Sequence, residues 1–496
     1  MNYKKYTLLL FALINLVSSF TFFVISQSSI KTFEVDGQLI DIRKLNKQIE
    51  KILDETDVPG LSFAVFDEGQ IVFHNSYGYK KYETSKNGLQ VGDERVNKRT
   101  VFEACSMSKS FLVFAVHRLV DQGVLDLDKP LYDYLSYPRL EHDKRYKLIT
   151  SRMVLTHSSG LENWQFYNNP DTLEILTEPG LEYNYSGEGY IYLSLVLQEI
   201  LGKNIEIYMK NLVYKPLNLK NTFTTYSQNG RKPKNYSYGH NAFKKSLPKE
   251  KNTYPEVASM ISTTARDYGK LLIGIFGGNY LSKDRMNNLT QTGIKLGEDT
   301  GLGEKFYYGP GFQILYTKRD TVLYQRGDND GFRGFGFYSL SKKSGYTMFA
   351  NSDSGDKILK ILDDITLKYD LFGSKNQYPN LEFTILNVYN EEGYLAALTK
   401  LRSVILDTNY KVETNNLESL GKLFLFQDPK LSEQIAIEYM KLHPKSIGAI
   451  VLFGRSKMED HRFEEAIEEF KKAKELDKSN SSNIDKLITR CYELLN

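Results

Sequence analysis

The sequence predicts an α+β domain followed by a C-terminal α-helical repeat domain. Strand-like runs occur near both ends of the first part of the chain, and a mainly helical stretch, residues 101–300, lies between them. This order predicts one antiparallel sheet that is assembled from both ends of the domain and flanked by helices, with an all-helical part beside it. Beyond Gly373 almost no strand signal remains, which indicates a separate helical region over residues 380–496.

The N-terminus has the features of a targeting segment. Two lysines precede an apolar stretch from Leu8 to Ile25, and a small residue follows it. We therefore expect residues 1–26 to be the signal peptide of an exported protein, either periplasmic or secreted. The alternative is a retained membrane anchor through residues 7–25. The first folded domain is then expected to span residues 27–373.

The composition excludes several classes of function. The 64 Lys and Arg residues nearly balance the 61 Asp and Glu residues, so the net charge of +3 does not indicate a nucleic-acid partner. Cys105 and Cys491 are the only cysteines, too few for a disulfide framework. Seven histidines occur without a Cys/His cluster of ligand spacing, and phosphate-loop and dinucleotide motifs are absent. We therefore expect no metal and no cofactor.

The predicted sheet consists of short apolar runs that are bounded by turn residues. Residues 61–66 indicate a strand, and a turn at residues 67–69 leads to a hairpin partner at residues 71–73. The late elements are predicted as strands at residues 312–316, 322–324, 335–338 and 346–350 and a last helix at about residues 357–369.

A long apolar helix is predicted just after Ser106, because apolar residues recur at helical spacing from Phe111 to Val120. Ser106 and Lys109 are three residues apart, so they share one helix face near the helix N-terminus. An amine so close to a hydroxyl can accept its proton, which makes Ser106 a candidate nucleophile. The alternative is that Ser106 only caps the helix. A thiol nucleophile at Cys105 is disfavoured, because Lys109 faces Ser106 instead.

The C-terminal part carries the pattern of helical repeats. Residues 462–473 have the small and aromatic positions of a tetratricopeptide helix, with Gly454 in the partner helix. Pro444 lies 34 residues before Lys478, which is the length of that repeat, although proline is usual where Lys478 stands. Stacked helical repeats commonly bind peptides or proteins, so we expect a protein or peptide partner here. The alternative is a plain helical cap on the first domain.

Three further segments accompany Ser106. Thr-His-Ser-Ser-Gly-Leu occurs at residues 156–161, a loop with Tyr-Ser at residues 183–190, and Gln-Arg-Gly-Asp at residues 325–328 between two late strands. With these motifs, residues 40–370 resemble the serine beta-lactamase and penicillin-binding (penicillin-recognising) superfamily, in its class C and esterase-like branch. The resemblance implies the beta-lactamase-like transpeptidase fold.

The resemblance also implies a role for each matching residue. Ser106 matches the nucleophile that forms an acyl-enzyme, and Lys109 and Tyr185 match the pair that handles its proton. A phenol with a reference pKa of about 10 needs a nearby cation such as Lys109 to act as a base at neutral pH. The oxyanion hole is expected from the backbone N–H groups of Ser106 and Asp328. His157 matches a structural residue of the family, so a catalytic role for it is disfavoured.

Two positions depart from the family pattern. Gly187 replaces the asparagine of the Tyr-x-Asn element, whose amide contacts the lysine and the substrate. Gln325 stands where a cation opens the Lys-Thr-Gly element, and Arg326 can replace that cation only through a bulge or twist, because neighbouring strand side chains alternate. We expect substrate contacts from these three residues and from Gly327. Trp164, the only tryptophan, either walls the cleft or simply packs.

We therefore expect an exported serine hydrolase of esterase, D-peptidase or beta-lactamase type. It would cleave a small ester, amide or peptide-like substrate through a Ser106 acyl-enzyme. Beta-lactams need a cation near Gln325 to hold their carboxylate, so efficient beta-lactamase activity is not expected. The alternative is a covalent sensor or binding protein that keeps the penicillin-recognising fold without turnover, as Gly187 and Gln325 suggest. A membrane contact is expected only if the leader is retained.

Overall fold

The computed structural model shows two compact units, residues 31–367 and residues 381–495. The residues that it describes are 31–84, 90–163, 171–224, 235–248, 256–291, 293–299, 304–317, 320–367, 381–407, 414–476 and 481–495. The predicted signal peptide, residues 1–26, lies outside the described residues.

A large antiparallel sheet forms the centre of the first unit. In chain order the described strands are β1 (Thr32–Val35), β2 (Gln38–Asp41), β3 (Gly60–Asp67), β4 (Gln70–Thr84), β5 (Gln90–Arg95), β6 (Phe102–Glu103), β7 (Ser262–Thr263), β8 (Ile294–Asp299), β9 (Glu304–Tyr308), β10 (Gln313–Tyr316), β11 (Thr321–Asn329), β12 (Phe332–Ser339) and β13 (Gly345–Ala350). The order in the main sheet is β5-β4-β3-β13-β12-β11-β10-β9-β8. Its neighbouring strands are all antiparallel. Two small two-stranded sheets, β1 with β2 and β6 with β7, lie outside it.

In the middle of the sheet, a strand from the first part of the unit pairs with a strand from its last part. β3 pairs with β13 in a register that runs from Leu61 opposite Ala350 to Phe66 opposite Gly345. Both strands are almost wholly buried, which explains why they appear in the sequence as continuous apolar runs. The predicted α+β fold, with one antiparallel sheet assembled from both ends of the domain, is confirmed.

Strands β8 and β9 lie in or just after the stretch that the sequence indicated as mainly helical. They form the far edge of the sheet, and Lys295, Leu296 and Lys305 on them are exposed. An edge strand with exposed side chains on both faces carries little of the apolar signal that identifies a buried strand. These two strands were therefore not predicted from the sequence.

The first unit contains eight α-helices among its described residues. They are α1 (Ile42–Thr56), α2 (Lys109–Asp121), α3 (Ser151–Leu155), α4 (Gly187–Leu201), α5 (Ile205–Met209), α6 (Ala265–Phe276), α7 (Lys283–Gln291) and α8 (Leu359–Ile365). Helix α2 is the predicted apolar helix, and its residues from Lys109 to Leu119 are buried except Arg118. The chain leaves it through Gly123, whose φ of 69° suits glycine. Because α2 is apolar on nearly all sides, it forms the centre of the core.

The second unit is helical throughout its described residues. Its helices are α9 (Leu381–Glu392), α10 (Tyr394–Leu406), α11 (Thr414–Phe424), α12 (Pro429–Leu442), α13 (Ile447–Glu459), α14 (Phe463–Leu476) and α15 (Ser481–Leu495). A Cβ on Gly454 would lie 2.6 Å from the ring of Phe470, so α13 and α14 pack closely at this point. The predicted helical region is confirmed, whereas its tetratricopeptide type and its partner stay predictions. Among the described helices, none combines the length and apolar character needed to cross a bilayer.

Candidate active site

The candidate nucleophile lies in a tight turn in front of the buried helix α2. Cys105–Ser108 form a 3₁₀ turn that continues directly into α2 at Lys109. Cys105 has a φ of 52°, a left-handed conformation that is uncommon for a residue other than glycine. Neither the turn nor α2 has a side-chain cap at its start, so the Ser106 hydroxyl is not used to cap the helix.

Three predicted side chains meet at the Ser106 oxygen. The Tyr185 hydroxyl donates a hydrogen bond to Ser106 Oγ over 2.8 Å, and Lys109 Nζ donates to the same oxygen over 3.3 Å. Lys109 Nζ also lies 4.9 Å from the centroid of the Tyr185 ring. Lys109 is buried, whereas Ser106 and Tyr185 are half-buried. The amine and the phenol are thus within reach of the serine proton, and Ser106 as a residue keeps part of its surface exposed.

The loop that carries Tyr185 is fixed by the turn that follows α3. The His157 carbonyl accepts the Asn184 N–H over 2.6 Å, and His157 Nδ1 accepts the Ser186 N–H over 3.1 Å. The Ser186 hydroxyl donates to the Glu162 carbonyl over 2.9 Å. Since both chain neighbours of Tyr185 are hydrogen-bonded, its phenol is held in position before any substrate binds.

His157 is buried behind Tyr185 and is neutral. Burial, reinforced by the nearby Lys109 charge, lowers the pKa of His157 well below its usual value. Its Nδ1 is an acceptor, so the proton of the neutral ring lies on Nε2, 3.2 Å from the Tyr308 hydroxyl. The Tyr308 hydroxyl also accepts from the Gln325 amide over 2.9 Å. A chain of hydrogen bonds therefore runs from β11 to the imidazole of His157, whose centroid lies 4.1 Å from that of the Tyr185 ring.

The predicted oxyanion hole lies where β11 passes the nucleophile turn, the 3₁₀ turn Cys105–Ser108 that contains the candidate nucleophile Ser106. β10 pairs with Thr321–Tyr324, the first part of β11, and the turn that contains Ser106 packs against the later part. A Cβ on Gly327 would lie 2.6 Å from the Ala104 carbonyl oxygen. Only glycine permits so close an approach, which brings the backbone of Asp328 beside the nucleophile turn. This proximity is what an oxyanion hole of two N–H groups requires.

Gln325 and Arg326 face opposite sides of β11. Gln325 is 2% exposed, and its amide donates to the Gly311 carbonyl over 2.7 Å as well as to Tyr308. Arg326 is exposed and donates to an Asp356 carboxylate oxygen over 2.9 Å. The pairing of β11 with β12 runs without a bulge, so Arg326 does not reach the face of Gln325. A substrate contact by either side chain stays a prediction.

The remaining predicted residues have different surroundings. Gly187 begins α4, and its N–H donates to Asn163 Oδ1 over 2.8 Å, so an amide from another loop lies next to this position. Trp164 lies outside the described residues. Burial raises the pKa of the Cys105 thiol well above its usual value, which disfavours a thiolate at neutral pH. In the described part of the chain, no three His, Cys, Asp or Glu side chains form a group that could hold a metal ion.

Sequence reasoning missed two groups that hold these side chains. The carbonyl of Ala258 accepts a hydrogen bond from Lys109 Nζ over 2.9 Å. Tyr308 connects Gln325 with His157. Neither group belongs to a motif, and both are distant in sequence from the residues that they contact, so no local signal identified them.

Comparison with known proteins places this site in a family. The Beta-lactamase family matches residues 45–369, which is more than half of the chain and includes every group described around Ser106. The chain belongs to the Beta-lactamase family. Membership of the Beta-lactamase family supports a serine hydrolase function in general terms.

Proteins similar to this chain include amidases. The chain is 32% identical over 222 residues to the N-acetylmuramyl-L-alanine amidase of Bacillus subtilis (strain 168), covering 40% of this chain and 49% of that protein. It thus spans about half the length of this relative. A class C beta-lactamase superposes with a TM-score of 0.52 at 19% identity, over 65% of this chain and 95% of that one. The D-amino acid amidase from Ochrobactrum anthropi SV3 superposes with a TM-score of 0.51 at 20% identity, over 65% and 96%. At such identities the two solved structures show the fold alone.

Proposed function

We propose that this chain is an exported serine hydrolase that cleaves an ester or an amide through a Ser106 acyl-enzyme. The observation that carries the proposal is the convergence of Lys109 and Tyr185 on Ser106 Oγ, at 3.3 Å and 2.8 Å. A half-buried serine with an amine and a phenol beside its oxygen has what an activated nucleophile needs. The family match supports the same assignment.

Acylation begins when the Ser106 proton leaves. Lys109 and Tyr185 act as one coupled pair, and the form of the pair that lacks one proton accepts it while Oγ attacks the substrate carbonyl. The N–H groups of Ser106 and Asp328 stabilise the charge that develops on the carbonyl oxygen, each by roughly 3 kcal/mol. The pair then delivers the proton to the leaving oxygen or nitrogen as its bond to the carbonyl carbon breaks.

Deacylation repeats these steps with water as the nucleophile. The pair removes a proton from the water that attacks the acyl carbonyl, and a proton returns to Ser106 Oγ when the ester bond breaks. His157 takes no proton in either half, because its lowered pKa keeps it neutral. Its contribution is to hold the loop of Tyr185.

The surroundings of the site support a substrate without a carboxylate next to the scissile bond. The Gln325 amide is uncharged and is bonded to Tyr308 and Gly311, and the Arg326 guanidinium is paired with Asp356. Efficient hydrolysis of beta-lactams is therefore not part of the proposal. The names of the two similar amidases support a small amide or peptide-like substrate.

Export and partner binding belong to the same proposal. The leader, residues 1–26, is proposed as a signal peptide, with an anchor through residues 7–25 as the alternative, and the helical repeats are proposed to bind a peptide or protein. Cell fractionation tests the location, since an exported protein is absent from the cytoplasmic fraction. The N-terminal sequence of the purified protein distinguishes a cleaved leader from a retained anchor.

Covalent labelling tests the nucleophile. A fluorophosphonate probe is expected to label the wild type and not Ser106→Ala. Ser110→Ala is the matched control, because Ser110 is a buried serine of the same region whose hydroxyl contacts Tyr268 Oη rather than the site. Labelling that survives Ser106→Ala would end the proposal. Side-by-side assays of p-nitrophenyl esters, nitrocefin and D-amino-acid amides then identify the substrate class.

A covalent sensor is the second candidate, and the absence of a cation at Gln325 favours it. Such a protein would form the acyl-enzyme and release it slowly or not at all. A stoichiometric burst of product without continuing hydrolysis would support the sensor. Steady turnover of any substrate in the panel excludes it.

A further inference from the structure

The amine of Lys109 is held by a turn that carries no recognisable motif. Lys109 Nζ donates to the Ala258 carbonyl over 2.9 Å, and this carbonyl belongs to residues 256–259, shortly before β7. Lys109 is buried, so its amine depends on protein groups for its hydrogen bonds. The position of the 256–259 turn therefore decides where the amine sits relative to Ser106.

A buried carboxylate closes this turn. The Glu256 carboxylate accepts hydrogen bonds from the N–H groups of Ala258 and Ser259, the latter over 2.9 Å, and from the Ser259 hydroxyl over 2.8 Å. Glu256 is 8% exposed. These described partners are all donors, which is the arrangement that an ionised carboxylate favours. Burial raises the pKa of Glu256, and the Lys109 charge and the three donors oppose that rise.

We infer that Glu256 is a positioning residue for the proposed reaction, acting through the Ala258 carbonyl and through its charge on Lys109. The inference rests on the proposed function, because Glu256 has this role only if Ser106 is the nucleophile. Glu256 fixes the acceptor that orients the amine, and its negative charge favours the ammonium form. An ammonium beside Tyr185 favours the phenolate, and hence removal of the Ser106 proton.

Three further side chains described beside Lys109 are aromatic or imidazole rings. The rings of Tyr185 and Tyr190 lie 4.9 Å and 5.6 Å from Nζ, and both are phenols. The imidazole of His157 is neutral, because its pKa lies well below its usual value. Among these described groups, Glu256 is the one whose charge opposes that of Lys109, and the two charges favour each other.

A second carboxylate, that of Glu103, is connected to the 256–259 turn through one intervening side chain. Glu103 Oε2 accepts from the Asn329 amide, which also donates to the Ser259 carbonyl over 3.3 Å. Glu103 Oε1 accepts from the Tyr236 hydroxyl over 3.1 Å. Glu103 thus acts on the turn through Asn329, whereas Glu256 bonds to the residue whose carbonyl holds Lys109.

The pH dependence of fluorophosphonate labelling tests the inference, because it needs no identified substrate. Glu256→Gln keeps the size of the side chain and one oxygen acceptor but removes the charge. We expect labelling of Ser106 to slow about 10- to 100-fold at neutral pH. The midpoint of its acid limb should fall, because Glu256→Gln removes the negative charge of the turn that holds Lys109.

Asp267→Asn is the matched control. Asp267 is also a buried carboxylate, and it accepts hydrogen bonds from the Asn221 N–H over 2.6 Å and from the Thr222 hydroxyl over 3.2 Å. This variant should lower the melting temperature and leave both the labelling rate and the midpoint at wild-type values. A merely structural effect of losing a buried carboxylate would look the same in both variants.

Ser259→Ala provides a second variant that keeps the charge. It removes one donor to Glu256 at a half-buried position, so labelling should slow several-fold with little change in melting temperature. The inference is overturned if folded Glu256→Gln keeps the wild-type midpoint, or, should that variant not fold, if Ser259→Ala labels at the wild-type rate. Absence of labelling at Ser106 in the wild type would instead refute the proposed function itself.

Discussion

Tyr185→Phe removes one hydroxyl from the site and keeps the ring that carries it. The ring retains its contact with His157, at 4.1 Å between centroids, and its distance of 4.9 Å from Lys109 Nζ. The hydrogen bond that is lost is the one to Ser106 Oγ over 2.8 Å. The substitution therefore separates proton transfer from the packing of the loop.

The expected effect on catalysis is much larger than that on stability. A positioned general acid or base contributes roughly 10²- to 10⁴-fold in rate, which corresponds to about 3–5 kcal/mol in the barrier. One hydrogen bond at a half-buried position contributes about 1 kcal/mol to folding. We therefore expect kcat/KM to fall by roughly 10²- to 10⁴-fold, while the melting temperature falls by about 2 °C or less. Some activity remains above Ser106→Ala, because Lys109 stays next to Ser106 Oγ.

The assay compares esterase kinetics, fluorophosphonate labelling and thermal unfolding in the wild type, Tyr185→Phe and Ser106→Ala. Tyr183→Phe is the control, because it removes a hydroxyl from the same loop. The Tyr183 ring, which the substitution keeps, lies 5.6 Å from the ring of Tyr308 between centroids. If Tyr185→Phe retains more than about a tenth of the wild-type kcat/KM, the phenol is not the proton-transfer group, and the mechanism proposed for Ser106 is refuted.

Three further predictions concern the strand beside the nucleophile, a buried histidine and the second unit. Gly327→Val should abolish labelling of Ser106, because its Cβ would lie 2.6 Å from the Ala104 carbonyl and force β11 away; wild-type labelling would contradict this. Burial lowers the pKa of His117 from 6.5 to about 4. As the pH falls, the unfolded state therefore binds a proton before the folded state does, so the free energy of unfolding should decrease as the pH falls from about 6.5 to about 4. His117→Leu should weaken that dependence in urea unfolding, and an unchanged slope would exclude His117 as its source. Phe470→Ala should destabilise the second unit by about 3–5 kcal/mol in denaturant unfolding, with labelling of Ser106 as the control; a loss below about 1 kcal/mol would contradict the packing against Gly454.

The central part of the fold could be predicted because its signal is local. β3 and β13 are buried on both faces, so each is a continuous apolar run, and α2 shows apolar residues at helical spacing. Strands β8 and β9 lack this signal, because exposed positions such as Lys295, Leu296 and Lys305 leave neither strand as a continuous buried apolar run. Helix α2 also begins at Lys109 rather than at Ser106, since the preceding residues form a 3₁₀ turn. Backbone geometry of this kind depends on contacts that the local sequence does not encode.

The candidate site divides in the same way. Ser106 and Lys109 are three residues apart, and the 3₁₀ turn that continues into α2 keeps them on one side, so their proximity is local. Tyr185 was assigned by the resemblance to the family. The loop that carries it is held by His157, which lies 28 residues earlier in the chain. Glu256 had no signal at all, because its role arises only when the 256–259 turn folds against Lys109. Residues that act through another residue's backbone are the ones that a single sequence hides.

The junction of β3 with β13 has a consequence for how the chain is made. Leu61 and Ala350 face each other there although about 290 positions separate them along the polypeptide. A ribosome releases its product in order, so the middle of this domain stays open until nearly all of it has been synthesised. A chain that ends before Gly345 would therefore lack β13, which is a central strand of the sheet and not an edge strand. Such a fragment would expose two unsatisfied strand edges and is expected to aggregate.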